Sequence, residues 1–198
     1  ILMEWLKSVL SPEKPGPSQR LRMLEVGALS TENACSKSGF FDIERIDLNS
    51  QSQGIKQQDF MKRPLPKDQS EMFDIISLSL VLNYVPEAKE RGEMLRRTTQ
   101  FLFPPGRHYP TPDLAANFPS LFLVLPAPCV TNSRYLDDDR LEAIMGSLGY
   151  VKVCFKQSMR LVYYLWRRRQ APEGSKARFA KKEIRPGSTR NNFAVVLD

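Results

Sequence analysis

The sequence has few of the side chains on which many enzymes depend. Its 198 residues include one histidine, His108, and three cysteines, Cys35, Cys129 and Cys154, which lie far apart and form no CxxC pair. A zinc site or a histidine charge relay is therefore not expected, and scattered, odd-numbered cysteines are typical of a reducing compartment. We accordingly expect no bound metal.

Long hydrophobic runs are also missing. No stretch approaches the ~20 apolar residues of a transmembrane helix, so we expect no membrane partner. Hydrophobic residues still make up 41% of the chain, which is enough for the buried core of one α/β domain. Because the chain begins at Ile1 rather than with Met, the lack of a signal peptide excludes no destination.

Glycines are scarce where a dinucleotide-binding chain would have several. A short apolar strand ends at Gly27, and a second strand, twenty residues on, ends at Asp47. NAD and flavin sites cradle a pyrophosphate with G-x-G-x-x-G. Here the later glycines are absent, and Glu32 would face a phosphate with like charge. The pattern therefore disfavours a dinucleotide and favours S-adenosylmethionine, which carries no phosphate.

The residues around the first two strand ends have distinct roles in such a site. The bare backbone of Gly27 allows close approach of the ligand, and Asp47 accepts hydrogen bonds from the ribose hydroxyls. Glu25 binds the methionine end directly or through water. The alternatives are an ordinary strand-ending glycine and a surface or helix-capping acid.

Two later segments complete the predicted pocket. Asp59 accepts the adenine amino group, with Phe60 against the ring, and Ser77 and Ser79 lie where the fourth strand meets the methyl group. The alternatives are a core phenylalanine and hydroxyls satisfied inside a packed strand. The full set of expected cofactor-binding residues is Glu25, Gly27, Ala28, Asp47, Leu48, Asp59, Phe60, Ser77, Leu78 and Ser79.

Apolar periodicity predicts strands that alternate with helices, the pattern of a doubly wound, mainly parallel α/β sheet. We predict a helix over residues 1–10, a linker over 11–18, and a domain over 21–198 after an N-terminal region of 1–20. Predicted strands cover residues 21–26, 41–48, 55–60, 73–79, 121–126 and 150–155. Predicted helices cover 30–39 with a Ser or Thr cap, 86–103 and 139–148, with a loop around 108–119. The antiparallel last strand is either 159–166 or 193–197.

Positive charge is concentrated near the C-terminus. Residues 167–190, which we call the basic segment, contain nine basic and two acidic residues, an excess equal to the net charge of +7 of the whole chain. Such a cluster is typical of a polyanion-binding surface, and the alternative is a solvated linker. We expect RNA contacts from Arg167, Arg168, Arg169, Lys181 and Lys182. If 193–197 is the last strand, the segment leaves from the catalytic side and can clamp RNA phosphates. If 159–166 is that strand, the segment starts on the far side and must double back.

Four stretches resemble the successive motifs of class I S-adenosylmethionine-dependent methyltransferases. They are Leu24-Glu25-Val26-Gly27, Ile46-Asp47-Leu48-Asn49, Gln58-Asp59-Phe60 and the run from Phe73 to Pro86. The chain is most similar to the fungal 25S ribosomal RNA adenine-N1 methyltransferases, from Leu21 to the terminal Arg190-Asn191-Asn192-Phe193. The resemblance implies a Rossmann-like fold and S-adenosylmethionine as cofactor, with S-adenosylhomocysteine as product. It also implies ribosomal RNA rather than DNA as partner and a nuclear, nucleolar location.

The resemblance also suggests where the target base lies. Amino-directed methyltransferases often place an Asn/Asp-Pro-Pro-aromatic motif after strand four. Here Asn83-Tyr84-Val85-Pro86 lies a turn later and lacks the paired prolines. We expect Asn83 and Tyr84 to contact the target base, and the alternative is packing at the start of a helix.

The chemistry at adenine N1 makes few demands on the protein. That nitrogen has an in-plane lone pair and needs no general base, so alignment with the methyl group supplies most of the catalysis. Animal relatives resemble S-adenosylmethionine sensors, which leaves a non-catalytic sensor as the main alternative, beside a methyltransferase of protein or small molecules. The sequence does not set the oligomeric state, and a monomer is the favoured expectation.

Overall fold

The computed structural model describes residues 1–10, 14–50, 52–170 and 177–198. The predicted linker and the basic segment therefore lie partly outside the described residues, at 11–13 and 171–176. Seven strands form one sheet with the order β3-β2-β1-β4-β5-β7-β6. The strands are β1 (Leu21–Val26), β2 (Phe41–Asp47), β3 (Lys56–Gln57), β4 (Ile75–Ser79), β5 (Ser120–Pro126), β6 (Tyr150–Gln157) and β7 (Leu161–Arg168).

Six α-helices connect or cover the strands in the described ranges. They are α1 (Leu2–Leu6), α2 (Ala34–Ser38), α3 (Ala88–Phe101), α4 (Pro112–Asn117), α5 (Pro128–Thr131) and α6 (Asp138–Ser147). The longest, α3, has 14 residues, and none of the helices in these ranges has the length and apolar character of a membrane span.

The predicted fold class is confirmed. Strands β1 to β5 pair in parallel, and β7 runs antiparallel to both β5 and β6. The strand β5 is buried along almost its whole length, as its continuous apolar sequence requires in a sheet covered on both faces. One face packs against α3, α6 and the C-terminal residues, and the other against α1 and the segment around Tyr109 and Phe118. The α1 helix packs on the sheet, although it precedes the expected start of the domain at residue 21. The expected division between an N-terminal region of residues 1–20 and the domain stays a prediction.

Several element boundaries differ from those expected. The α2 helix is shorter than predicted and is capped by Asn33, whose side chain accepts from the Ser36 amide, rather than by Ser30 or Thr31. The expected loop at 108–119 contains α4, and α5 was not anticipated, because both are too short to show a helical period.

The choice between two last strands is resolved in favour of the earlier one. Strand β7 pairs with β5 over seven residues and with β6 along its length. Residues 193–197 are buried but form only isolated bridges, such as Phe179 with Leu197. The basic segment therefore begins on the far side of the sheet and doubles back.

The C-terminal segment, defined here as residues 177–198, packs closely on α3. The Val196 amide donates to the Ala88 carbonyl, and the Arg91 guanidinium donates to the Ala194 carbonyl. A Cβ atom added at Gly92 would lie 1.8 Å from the Val196 carbonyl oxygen. Gly92 is thus required by the close approach of this segment and not by its own backbone conformation.

Arg185 fixes the same segment to the turn that follows β5. Its guanidinium donates to the carbonyls of Val130 (2.6 Å), Leu136 (2.7 Å), Ser133 (3.2 Å) and Thr131 (3.3 Å). These carbonyls belong to the end of α5 and the loop after it, so one planar side chain satisfies acceptors that a short helix leaves unpaired.

We predict that Gly92→Ala destabilises the protein by about 1–3 kcal/mol, because the added methyl group must displace the backbone at Val196. The matched control is Gly146→Ala in α6, where nothing lies within 4 Å of the added Cβ. That variant should gain about 0.5–1 kcal/mol from helix propensity. Urea unfolding monitored by circular dichroism measures both values, and a stabilised Gly92→Ala protein would contradict the packing described.

We predict that Arg185→Ala lowers the free energy of unfolding by about 2 kcal/mol, because four carbonyls lose a charged donor. Arg185→Lys should recover less than half of the loss, since an ammonium lacks the planar fork. Arg178→Ala is the control, because Arg178 is exposed and donates no hydrogen bond within the described residues. Equal stability of the Arg185→Ala and Arg178→Ala proteins would refute this role.

Candidate functional site: the carboxyl edge of the sheet

Gly27 immediately follows β1 and adopts a conformation that other residues rarely adopt, with φ of 72°. Its amide donates to the Ile46 carbonyl, which ties the turn to the neighbouring strand. A Cβ at this position would lie 2.5 Å from the Val81 Cγ2 atom. Glycine is therefore required both by the backbone angle and by the loop that follows β4. The next residue, Ala28, is buried beneath the turn.

Asp47 is the last residue of β2 and lies beside Gly27. Its Oδ1 atom accepts from the Asn49 amide at 2.7 Å, and no described residue donates to Oδ2. The carboxylate thus keeps an acceptor for a ribose hydroxyl. The following residue, Leu48, is 68% exposed and leaves an apolar surface beside the end of β2.

Asp59 is brought close to Asp47 by β3, since the Gln58 amide donates to the Asp47 carbonyl. Asp59 Oδ1 accepts from the Met61 amide, while Oδ2 lies 4.0 Å from the Lys62 ammonium. The Phe60 ring is buried, with its centroid 5.3 Å from that of Phe101. This burial favours the core position that the sequence left open for Phe60.

Glu25 is the penultimate residue of β1 and contacts Asn33, which precedes α2. Its Oε1 atom accepts from the Asn33 side chain at 2.8 Å, and its Oε2 atom lies 3.6 Å from Arg45 Nε. Burial raises the pKa of this carboxyl above its ordinary value, while Asn33 and Arg45 act in the opposite direction. The buried Oε2 atom has no hydrogen-bond donor, so an ammonium group could still bind there. Asn33 was not among the residues predicted for the site, although an Asn before a short helix is a capping signal.

The three predicted residues of β4 differ in environment. Leu78 is fully buried, Ser77 is almost so, and Ser79 at the strand end is exposed. Only Ser79 is therefore open to a ligand at this edge. Leu80 follows with φ of 60°, a left-handed conformation that is costly for a leucine and turns the chain sharply.

Asn83 and Tyr84 lie in the short 3-10 turn Leu82–Tyr84 just beyond β4. The Tyr84 side chain is 81% exposed, and the Asn83 Oδ1 atom is buried without a hydrogen-bond partner. An exposed aromatic ring beside an unsatisfied amide oxygen could stack on a base and accept from its amino group. The structure thus places both residues at the edge where the cofactor residues converge.

Four strongly exposed apolar side chains mark the same edge. Leu29, Leu48, Tyr84 and Met159 follow β1, β2, β4 and β6, whose carboxyl ends all point this way. Exposed apolar groups gathered on one side of a molecule are typical of a binding surface.

The five basic residues predicted to bind RNA do not form one patch. Arg167 pairs with the first residue of β5, because β7 is antiparallel and ends at the opposite edge. Arg167 donates to the Ala115 and Ala116 carbonyls, and Arg168 donates to the carbonyls of Leu102 and Phe103.

Arg169 follows at the same far edge, where its amide donates to the Gly149 carbonyl. Lys181, by contrast, stands over the Tyr135 ring at 4.5 Å, beyond β5 on the carboxyl edge, and Lys182 beside it is exposed. RNA contacts of all five residues stay a prediction, but the structure separates them into two groups.

S-adenosylmethionine fits the groups present at the carboxyl edge. The turn at Gly27 has no side chain, Glu25 Oε2 accepts no hydrogen bond from a described residue, and Asp47 Oδ2 keeps an acceptor for the ribose. The described residues contain no cluster of three or more His, Cys, Asp or Glu side chains that could hold a metal ion.

Two solved structures with a similar fold are an S-adenosylmethionine-dependent methyltransferase and an O-methyltransferase family protein. One from Methanosarcina mazei has a TM-score of 0.54 at 13% identity, over 84% of this chain and 98% of that one. An O-methyltransferase family 2 protein from Planctomyces limnophilus has a TM-score of 0.53 at 13% identity, over 81% of this chain and 54% of that one. At such low identity, these similarities show the fold alone.

Two curated relatives are much more similar in sequence. The 25S rRNA adenine-N(1) methyltransferase of Schizosaccharomyces pombe is 40% identical over 87% of this chain and 59% of its own length. The 25S rRNA (adenine(2142)-N(1))-methyltransferase of Saccharomyces cerevisiae is 35% identical over 100% of this chain and 53% of its own length. The chain therefore spans a little more than half of these relatives.

A family profile described as 25S rRNA (adenine(2142)-N(1))-methyltransferase, Bmt2, matches residues 1–195. This match takes in the glycine turn, the acidic strand ends, the Asn83 turn and nearly all of the C-terminal segment. The chain belongs to the Bmt2 family.

Proposed function

We propose that this chain binds S-adenosylmethionine at the carboxyl edge of its sheet and transfers the methyl group to N1 of an adenine in large-subunit ribosomal RNA. The observation that carries the proposal is the convergence of Gly27, Asp47 and Asn83 on one edge in a chain of the Bmt2 family. The relatives that are named for this reaction extend well beyond the matched region, so the activity of the whole protein is part of the proposal.

The bound cofactor would supply an electrophilic methyl group, and the chain's residues would place the adenine. Asp47 would hold the ribose, Asp59 would face the adenine amino group of the cofactor, and Ser79 would lie beside the methyl group. Asn83 accepts from the exocyclic amino group of the target, and Tyr84 stacks on its ring. The base must be presented out of its stack for this contact.

No proton acceptor is needed at the moment of transfer, because N1 attacks with an in-plane lone pair. Alignment alone can lower the barrier by about 7–11 kcal/mol. The product base is cationic, so unpaired oxygens such as Asn83 Oδ1 stabilise it better than lysine or arginine would. The only histidine, His108, has no part in this mechanism.

The proposed partner and place follow from the substrate. Ribosomal RNA, rather than DNA or a membrane, is the expected macromolecular partner, and the expected location is the nucleus and nucleolus, with a monomer as the active form. The positive charge of the chain supports a polyanionic substrate.

We predict that Asp47→Ala weakens S-adenosylmethionine binding about 10–100-fold, because the ribose loses a charged acceptor worth about 1.5–3 kcal/mol. The control is Asp42→Ala, an exposed acid at the other end of β2. Isothermal titration with S-adenosylmethionine and S-adenosylhomocysteine gives both affinities. Unchanged affinity of the Asp47→Ala protein would remove Asp47 from the site.

We predict that the chain forms 1-methyladenosine in unmodified large-subunit ribosomal RNA when it is incubated with radiolabelled S-adenosylmethionine. Asn83→Ala and Tyr84→Ala should each lower kcat at least tenfold and leave cofactor affinity within twofold, because they contact only the target base. Nucleoside analysis by chromatography and mass spectrometry identifies the product.

Cofactor binding with no methyl transfer to RNA would contradict the proposal and favour a sensor of S-adenosylmethionine. Transfer to a protein or small molecule, again without 1-methyladenosine, would favour the other alternative that the sequence left open.

A further inference from the structure

A cavity of about 710 Å³ lies between the start of α3 and the C-terminal segment. Pro86 and Lys89 line it from the helix side, Cys129 lines it from the turn after β5, and Lys181, Asn192 and Phe193 line it from the C-terminal segment. Ligand pockets commonly have volumes of about 300–1,000 Å³. The cavity is therefore large enough for a nucleotide.

The cavity adjoins the proposed position of methyl transfer without including it. Pro86 is only three residues beyond Asn83, and Cys129 follows the carboxyl end of β5. None of the residues assigned to the cofactor, and neither Asn83 nor Tyr84, lines the cavity. A polynucleotide whose target base enters beside Asn83 would thus place a neighbouring nucleotide here.

The lining combines an apolar floor with a polar rim. Pro86, Phe193 and Val196 supply apolar surface, and the Phe193 ring is backed by the Arg91 guanidinium at 4.4 Å. Asn192 Oδ1 accepts from Arg134, but no described residue accepts from the side-chain nitrogen Nδ2 of Asn192. The amide can therefore donate to the edge of a base lying over the floor.

The charge around the cavity favours a polyanion over a neutral or basic partner. Three lining residues are basic, Lys89, Arg91 and Lys181, and one is acidic, Glu87. Lys89 pairs with Asp198, and Arg91 donates to backbone carbonyls. Lys181 lies over the Tyr135 ring and has no carboxylate partner in the described ranges, so its ammonium is available to a phosphate.

The wall formed by the C-terminal segment is held in place before any ligand binds. The Asn191 side chain donates to the Pro128 carbonyl, and the Asn191 amide donates to the Asn132 carbonyl. The Asn191 carbonyl in turn accepts from the Arg134 amide. A preformed wall lowers the entropic cost of binding and makes the site selective in shape.

We propose that this cavity is a subsite for a nucleotide that flanks the target adenine in the RNA substrate. Its base lies over the floor at Pro86 and Phe193, Asn192 donates to the base edge, and Lys181 contacts the adjoining phosphate. The inference rests on the proposed function and adds to it a site of substrate selection built by the C-terminal segment.

The test combines protein variants with altered RNA. The RNA is the shortest ribosomal fragment that the wild-type chain methylates, made with a single abasic site at each of the three positions on either side of the methylated adenine. Binding is measured by fluorescence anisotropy for the wild type, Asn192→Ala, Lys181→Ala and the exposed control Lys67→Ala. Calorimetry with S-adenosylmethionine and thermal unfolding verify that each variant is folded.

The wild type should lose about tenfold in affinity when one flanking position is abasic. The Asn192→Ala protein should bind the intact RNA about tenfold more weakly than the wild type does. In this variant, the same abasic site should lower the affinity less than threefold, because the flanking base has already lost its hydrogen-bond partner. Lys181→Ala should lower the slope of log affinity against log salt concentration by about 0.7–0.9. Lys67→Ala should resemble the wild type.

The experiment distinguishes a failure of the proposed function from a failure of the proposed subsite. If the wild type neither binds nor methylates RNA, the proposed function is refuted. If it methylates RNA but the Asn192 and Lys181 variants bind every RNA as the wild type does, the subsite is refuted and the proposed function stands. The subsite would also be refuted if an abasic position lowered RNA affinity by the same factor in the wild type and in Asn192→Ala. The cavity would then be expected to bind a protein segment instead of a nucleotide.

Discussion

The parallel pairing of β1 with both β2 and β4 is the constraint on which the site depends. Val26, the last residue of β1, lies beside Ile46 on one side and Leu78 on the other. Because the three strands run in the same direction and in this register, Gly27 and the residues after β2 and β4 emerge at one edge. A slip of one residue in either pairing would turn buried side chains outward and move the acidic strand end away from the glycine turn. The helices on both faces stabilise this register by covering the strands.

The insertion of β7 between β5 and β6 decides where the basic residues lie. An antiparallel strand at this position carries its last arginines to the edge away from the cofactor residues, and the chain must return along α3 and α6. The returning segment is fastened by guanidinium groups that donate to backbone carbonyls, as Arg185 and Arg134 do. Arg185, which belongs to the basic segment, therefore helps to hold the wall that faces the proposed substrate. Lys181 and Lys182 donate no hydrogen bond to a backbone carbonyl within the described ranges.

The sequence predicted the elements whose pattern is local. The strands β1, β2, β4 and β5 are apolar runs between turn signals, and α3 is bounded by Pro86 and Pro104, so their existence and the fold class follow from periodicity. Which of two segments forms the antiparallel last strand could not be predicted, because residues 193–197 are as apolar as β7 and only tertiary packing decides between them. The core position of Phe60 could not be predicted either, because its ring packs on Phe101, which lies far away in the sequence. Arginines that bind carbonyls likewise look the same in sequence as arginines that bind phosphate.

The turn at Gly27 packs against the turn that contains Asn83, and this packing matters for the proposed reaction because the chain has one histidine. Val81, two residues before Asn83, occupies the space that a side chain at position 27 would need. The left-handed Leu80 directs the chain to that contact, and its amide is held by the Val124 carbonyl of β5. The relative position of the two turns is thus fixed by packing across β1, β4 and β5, and in the proposed reaction this packing would align the methyl donor with its acceptor. Where alignment supplies the rate, such packing contributes more than any titrating group would.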